Sequence, residues 1–165
     1  MPALLAVLFF SSCGIHRETT RVRGLSADER VEYSRRLGMP LSGKENPELI
    51  RELGDWVGTP YRYGGSTRGG ADCSGFIWAV YRDVYGKGIP RTTGGMARES
   101  RRVRQGRLKE GDLVFFRMKG RKISHAGLYL GNRHFIHATT SRGVMVNSLE
   151  EDYYRRRFAR GGRFL

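Results

Sequence analysis

Cys73, one of two cysteines in the chain, follows a glycine-rich loop and directly precedes an apolar stretch, in the segment GGADCSGF (69–76). A thiol is a useful nucleophile only as its thiolate, and a helix start favours that anion through unsatisfied N–H groups and the helix dipole. A neighbouring imidazole is the second requirement. Four histidines are present. His16 stands in a polar N-terminal stretch, His125 opens the strand-like HAGLYLG, and His134 and His137 sit together in HFIHAT. If residues 133–138 are extended, alternation sends His134 and His137 to opposite faces, so at most one of them faces a shared site. Parity does not say which. The set suits a Cys–His pair with a third group orienting the base. The competing reading is a small buried cysteine beside ordinary strand histidines, and composition weighs the two equally. Asp72 opposes the first reading, because an adjacent carboxylate raises a thiol pKa. It must cap the helix, pair with another group, or bind a substrate cation.

Several elements must position these residues. Ser26 with Glu29 three residues on has the form of a capping box, predicting a helix from there to about Gly38. Asn46-Pro47 supplies an N-cap and an N1 proline for a second helix, PELIRELGDWVG, to about Val57. The stretch GTPYRYGGSTRGGAD reads as a loop with unusual backbone dihedrals. From Cys73 to Tyr85, Phe76, Ile77, Val80, Tyr81 and Val84 recur at helical spacing and predict a core-facing helix. GKGIPRTTGGMARES reads as turns. GDLVFF, HAGLYLG, HFIHAT and GVMVNS then read as antiparallel strands, with Gly131-Asn132 as a hairpin turn. Helices first and strands later predict an α+β domain, its sheet packed against the Cys73 helix.

The 165 residues allow one compact domain and a short appendage. A formal charge of +14 favours anionic surroundings: nucleic acid, acidic lipid or a charged cell-wall polymer. The arginines fall in scattered clusters without zinc-finger, basic-zipper or aromatic RNA-binding signatures, so specific nucleic-acid binding is not expected. No C-x-x-C pair points to zinc, and no metal or organic cofactor is expected. The apolar run Ala3–Phe10 is too short to span a bilayer but long enough for the hydrophobic part of an export signal. With Ser11 and Ser12 before Cys13 it resembles a bacterial lipoprotein signal, which implies cleavage and acylation of Cys13. No Lys or Arg precedes the run, and Phe10 stands where Leu is usual. An ordinary secretory signal or a buried N-terminal strand are the alternatives.

PYRYGG, DCSGF, GDLVFF, SHAGLYLGN and FIHAT, in that order between about Leu49 and Phe164, resemble the NlpC-type family of bacterial cell-wall cysteine peptidases. The resemblance implies a compact papain-like α+β fold, N-terminal helices followed by a catalytic helix packed on an antiparallel sheet. It divides the chain into a signal peptide (1–12), a tether (13–25), a helix and linker (26–48) and the catalytic domain (49–165). It implies Cys73 as nucleophile, His125 as general base and His137 as the residue that orients it; His134, which does not precede the matching alanine, becomes a surface residue. Tyr61, Asp72 and Ser74 match positions that bind a free substrate α-amine in some members, which would turn Asp72 to face a substrate cation. The implied substrate is the peptide stem of peptidoglycan, cut at the γ-D-glutamyl–diamino acid or the D-alanyl–diamino acid bond through an acyl-enzyme. A monomer, held in the cell envelope by its lipid anchor (on the outer membrane facing the periplasm in a Gram-negative cell), is expected. The substrate's carboxylates give the surplus arginines a docking role. A thiol acyltransferase on a related scaffold would use the same Cys and His, and a non-catalytic envelope-binding lipoprotein would need no reactive thiol.

Overall fold

The computed structural model describes residues 24–165. The proposed signal peptide, the lipidation site Cys13, His16 and most of the tether lie outside the described residues. Two helices lead. Helix α1 (Ala27–Leu37) starts at the full capping box, in which Ser26 accepts from the Glu29 N–H while the Glu29 carboxylate accepts from the Ser26 N–H. It ends at Gly38, in the left-handed conformation that glycine adopts without steric cost. Helix α2 (Pro47–Trp56) is capped by Asn46 and buries Leu49, Ile50, Leu53 and Trp56. The glycine-rich loop carries a short hairpin, β1 (Ser66–Thr67) and β2 (Gly70–Ala71), and delivers the chain to helix α3 (Cys73–Tyr85).

The stretch expected to be turns contains a further helix, α4 (Thr93–Glu99). The second half builds a six-stranded, wholly antiparallel sheet from β3 (Arg101–Val103), β4 (Leu113–Phe116), β5 (His125–Gly131), β6 (His134–Thr139) and β7 (Gly143–Ser148). The short helix α5 (Asp152–Arg155) then precedes the last strand, β8 (Phe158–Arg163). The spatial order is β3-β8-β4-β5-β6-β7, so β8 returns from the end of the chain to lie between β3 and β4. Strands β3 and β8 and helix α5 carry no alternating or helical apolar pattern and were not expected. The β5–β6 turn is centred one residue later than Gly131-Asn132: Asn132 and Arg133 both have positive φ (45° and 67°), as a primed hairpin turn requires.

Apolar side chains sort to the two faces of this sheet. Phe76, Ile77, Ala79, Val80 and Tyr81 of α3 pack with Leu113 and Phe115, Ala126, Leu128 and Leu130, and Ile136 and Ala138. The alternate residues Val114, Phe116, Tyr129 and Phe135 form a second cluster with Leu149 and Tyr154. Strand β4 is therefore buried on both sides, which is why LVFF reads as an unbroken apolar run rather than an alternation. Fully burying side chains of this size contributes roughly 1.5–3 kcal/mol each, so the α3–sheet contact dominates the platform on which the reactive groups stand.

Candidate active site

Three element ends converge on one cleft of about 630 Å³, whose walls include Tyr61, Cys73, His125, His137, Asn147 and Tyr154. A shallower groove of about 680 Å³ beside α1 contains no thiol or imidazole. Cys73 is the first residue of α3, and Asp72 is its N-cap, accepting from the Gly75 N–H at 2.7 Å. The thiol is buried and free. Its sulfur lies 3.6 Å from Thr93 Oγ1 at the start of α4 and also meets the backbone N–H of Ala126 in β5. Burial pushes the thiol pKa up; the hydrogen bonds from Thr93, Ala126 and Ser74 draw it partly back, and the Asp72 charge adds to the rise. A resting thiol of this kind needs a base.

His125 is the first residue of β5, one position before Ala126, and so stands at the sheet end where the sulfur arrives. Its Nε2 is 2.7 Å from Nδ1 of His137. The register explains the contact. Leu128 lies opposite Ile136, so one step along each strand sets Gly127 opposite His137, with His125 its diagonal neighbour on the same face. Burial pushes both imidazoles well below the ordinary histidine range. Both are neutral near pH 7, and His125 has one nitrogen, Nδ1, not committed to His137. Phe116 and Phe135 wall the pair, with ring centroids 6.0 Å from His125 and 4.8 Å from His137.

The structure thus brings together Cys73, His125 and His137. His137 rather than His134 joins the cleft: His137 is 1% exposed, whereas His134 begins β6 opposite Gly131 and lies outside the lining. Tyr61 also lines the cleft, near enough to Cys73 and Asp72 that their negative charges, after burial, oppose loss of its proton. It remains a phenolic O–H donor.

Asp72 and Ser74 are arranged differently from a waiting amine site. Asp72 is 8% exposed, and its two oxygens accept from the Gly75 and Gly64 N–H groups, the Ser74 hydroxyl and Arg91 Nη1 at 2.7, 2.8, 2.9 and 3.1 Å. Arg91 also donates to Ser74 Oγ (3.1 Å) and to the carbonyls of Gly64 and Gly65 (2.9 Å each). The cation facing Asp72 is therefore Arg91. Those donors hold the Asp72 carboxyl below its usual range against the cost of burial, and the ion pair offsets its charge beside the thiol. Arg91 and Thr93 carry no signal of their role in the sequence, because IPRTTGG reads as turn residues. Among the described residues, no group of three or more His, Cys, Asp and Glu side chains could hold a metal ion.

A thiol at a helix start, an N–H aimed at it and a tandem imidazole pair are the components of nucleophilic acyl transfer. The family model described as NlpC/P60 family matches residues 58–163. The chain belongs to the NlpC/P60 family. It is 33% identical over 175 aligned residues to the Escherichia coli (strain K12) protein named murein DD-endopeptidase MepS/murein LD-carboxypeptidase, covering all of this chain and 91% of that one. To the E. coli (strain K12) protein named probable endopeptidase NlpC it is 45% identical over 111 residues, covering 67% of this chain and 72% of that one. The crystal structure of the NlpC/p60 domain of the peptidoglycan hydrolase SagA superposes with a TM-score of 0.61 at 28% identity, covering 71% of this chain and 97% of that domain. Helices followed by an antiparallel sheet, as the motif order implied, are thus the NlpC/P60 arrangement, and both α1 and α2 precede the matched region.

Proposed function

We propose that this NlpC/P60 protein is a cysteine endopeptidase that hydrolyses amide bonds in the peptide stems of peptidoglycan. The observation that carries the reading is the orientation of His125: Nε2 is occupied by His137, and Nδ1 is left uncommitted on a half-buried neutral base that lines the same cleft as the buried thiol. In this scheme His125 Nδ1 takes the Cys73 proton as sulfur attacks the scissile carbonyl. The developing oxyanion meets backbone N–H groups at the start of α3, that of Cys73 among them. His125 then returns its proton to the leaving amine and activates the water that releases the acyl group. His137 orients the base, and Tyr61 supplies a hydrogen-bond donor on the substrate side.

Of the two bonds implied by the sequence, we favour the D-alanyl–diamino acid cross-link. A relative aligned over the whole chain is named a DD-endopeptidase. Arg91 also occupies the carboxylate that would otherwise receive a free stem α-amine; Asp72 and Ser74 can serve as amine contacts only if Arg91 is displaced. We further infer from the MPALLAVLFFSSC segment that Cys13 is lipidated and anchors a monomer in the envelope. Mass spectrometry tests these readings together. Digestion of purified muropeptides should convert cross-linked dimers to monomers, with Cys73→Ala inactive but folded, and the mature chain should begin at an acylated Cys13. Hydrolysis by Cys73→Ala would refute the mechanism, intact dimers the bond assignment, and a native protein retaining Met1 the anchor.

A further inference from the structure

The chain of hydrogen bonds that orients His125 does not stop at His137. Asn147, in β7, lies across from Phe135, two residues along from Met145, which pairs with His137. Its Oδ1 is 2.9 Å from His137 Nε2. Its Nδ2 donates to both oxygens of Glu151, at 3.0 and 2.9 Å. Glu151 is held in turn by the Ser148 N–H at 2.7 Å. Tyr154 of α5 stands over the junction, its hydroxyl 3.4 Å from His137 Nε2 and 3.5 Å from Asn147 Oδ1. Glu151 is the one carboxylate among the residues described as lining the cleft.

Donor and acceptor capacities give this chain a direction. An ionised carboxylate only accepts, so it turns the amide N–H₂ of Asn147 toward itself and the amide oxygen toward His137. That oxygen only accepts, so His137 carries its proton on Nε2. Neutral His137 then presents a lone pair at Nδ1, and His125 must carry its proton on Nε2. The one nitrogen of His125 left for the thiol is Nδ1, with its lone pair free. With Asn147 flipped, every assignment reverses: His125 would point an N–H at the thiol and could not act as a base. Parity along β7 cannot reveal this role, because it depends on which carboxylate sits beyond Asn147.

We propose that Asn147 and Glu151 are positioning residues that set the tautomers of His137 and His125 and thereby make His125 a base toward Cys73. The proposal rests on the peptidase reading for its purpose, but its physical content concerns this chain alone. Two effects combine. The hydrogen-bond chain keeps His125 in the tautomer able to accept a proton. The Glu151 charge, which also opposes the effect of burial on His137, favours the imidazolium formed after the thiol proton moves. The charged and titratable groups that line the cleft with the pair are Cys73 of α3, Tyr61, Lys119 and Arg142 from the loops, Tyr153 and Tyr154 of α5, and Glu151 itself.

Glu151→Gln keeps the shape but offers one acceptor and one donor, so Asn147 can face it either way. Two measurements need no substrate: the ¹⁵N chemical shifts of His125 and His137, which report the protonated ring nitrogen, and the rate of Cys73 alkylation by iodoacetamide between pH 6 and 8. In the wild type both histidines should show the Nε2–H tautomer. In Glu151→Gln we expect mixed tautomers and at least tenfold slower alkylation across this range. The double variant Asn147→Asp/Glu151→Gln exchanges the amide and carboxylate. It restores an acceptor toward His137 and a donor behind it, and should recover alkylation to within a few-fold of wild type, while Asn147→Asp alone sets two carboxylates together and should not. Wild-type tautomers and alkylation in Glu151→Gln, or no recovery in the double variant, overturn the proposal. Failure of muropeptide cleavage with normal tautomers and alkylation instead counts against the peptidase reading.

Discussion

Gly75→Ala is a substitution whose sign separates local propensity from the geometry around Cys73. Gly75 lies in the first turn of α3, two residues past the thiol. In an exposed helix, replacing glycine by alanine gains about 1 kcal/mol. Here an added Cβ would come within 2.5 Å of Arg91 Nη2 and 2.8 Å of Arg91 Cζ, with the carbonyl oxygen of Gly65 nearer still. The guanidinium end could swing away, but the Gly65 carbonyl is backbone. It accepts from the Asp72 N–H at 3.1 Å and from Arg91 at 2.9 Å. Admitting a methyl group requires the loop to withdraw, which breaks those two bonds and the bond from Arg91 to Gly64 O.

Three hydrogen bonds at about 1 kcal/mol net each come to about 3 kcal/mol, and overpacking a tight site costs about 1–3 kcal/mol by itself. The two overlap, since withdrawal of the loop relieves the overlap at the expense of the bonds. Subtracting the helix gain leaves a net destabilisation of about 2–4 kcal/mol. Urea denaturation of Gly75→Ala against wild type reads it directly. The same withdrawal loosens the Gly64 N–H that holds Asp72, so Cys73 alkylation should also change. A variant as stable as wild type, or more stable, would refute this account of how the loop and α3 are joined.

Two further predictions follow from the ionisable groups. His137 is buried neutral, its pKa pushed down to about 4, whereas the unfolded chain takes up that proton near pH 6.5. The stability this group withholds at low pH is therefore fully present above pH 6.5 and lost as pH falls toward the folded value. The loss is about 2 kcal/mol by pH 5, and His137→Gln should flatten that part of the stability–pH curve; an unchanged slope would sink the assignment. Because Arg91 already pairs with Asp72, Asp72→Asn should leave KM for a free-amine stem peptide unchanged, while Arg91→Ala should lower it several-fold. A raised KM in Asp72→Asn would instead return Asp72 to the amine-binding role read from the sequence.

What could be read in the sequence was what neighbours along the chain decide. Ser26 and Glu29, Asn46 and Pro47, and the apolar spacing after Cys73 act within one or two turns, and all three helices form where those signals lie. Helix α4 was hidden because Gly94 and Gly95 argue against a helix. It forms with Thr92 accepting from the Gly95 N–H at 3.1 Å, and a Cβ on Gly95 would come within 2.8 Å of Pro90. Strand β8, FARGGR, has neither apolar alternation nor β-branched residues. Its Gly161 and Gly162 are needed where side chains would strike Leu108 and Phe115, at 2.6 Å in each case. Close approach between distant segments leaves no pattern in the segment itself.

The choice between His134 and His137 shows the same divide inside the site. Alternation guaranteed that only one could face His125; within HFIHAT the resemblance of the FIHAT block points to His137, but no physical signal distinguishes the two. Register decides it, and a slip of one residue between β5 and β6 would exchange the two faces. The turn that sets this register has positive φ at both Asn132 and Arg133, an uncommon conformation for arginine. It is held because the Arg133 N–H donates to the Tyr129 hydroxyl at 3.1 Å and the Arg133 carbonyl accepts from the Leu149 N–H at 2.8 Å. Leu149 follows β7 directly, between Asn147 and Glu151 in the chain. The contacts that hold the β5–β6 turn therefore also anchor the segment carrying the Asn147–Glu151 pair. The face that His137 presents and the groups that hold its proton are thus fixed by one cluster of backbone contacts.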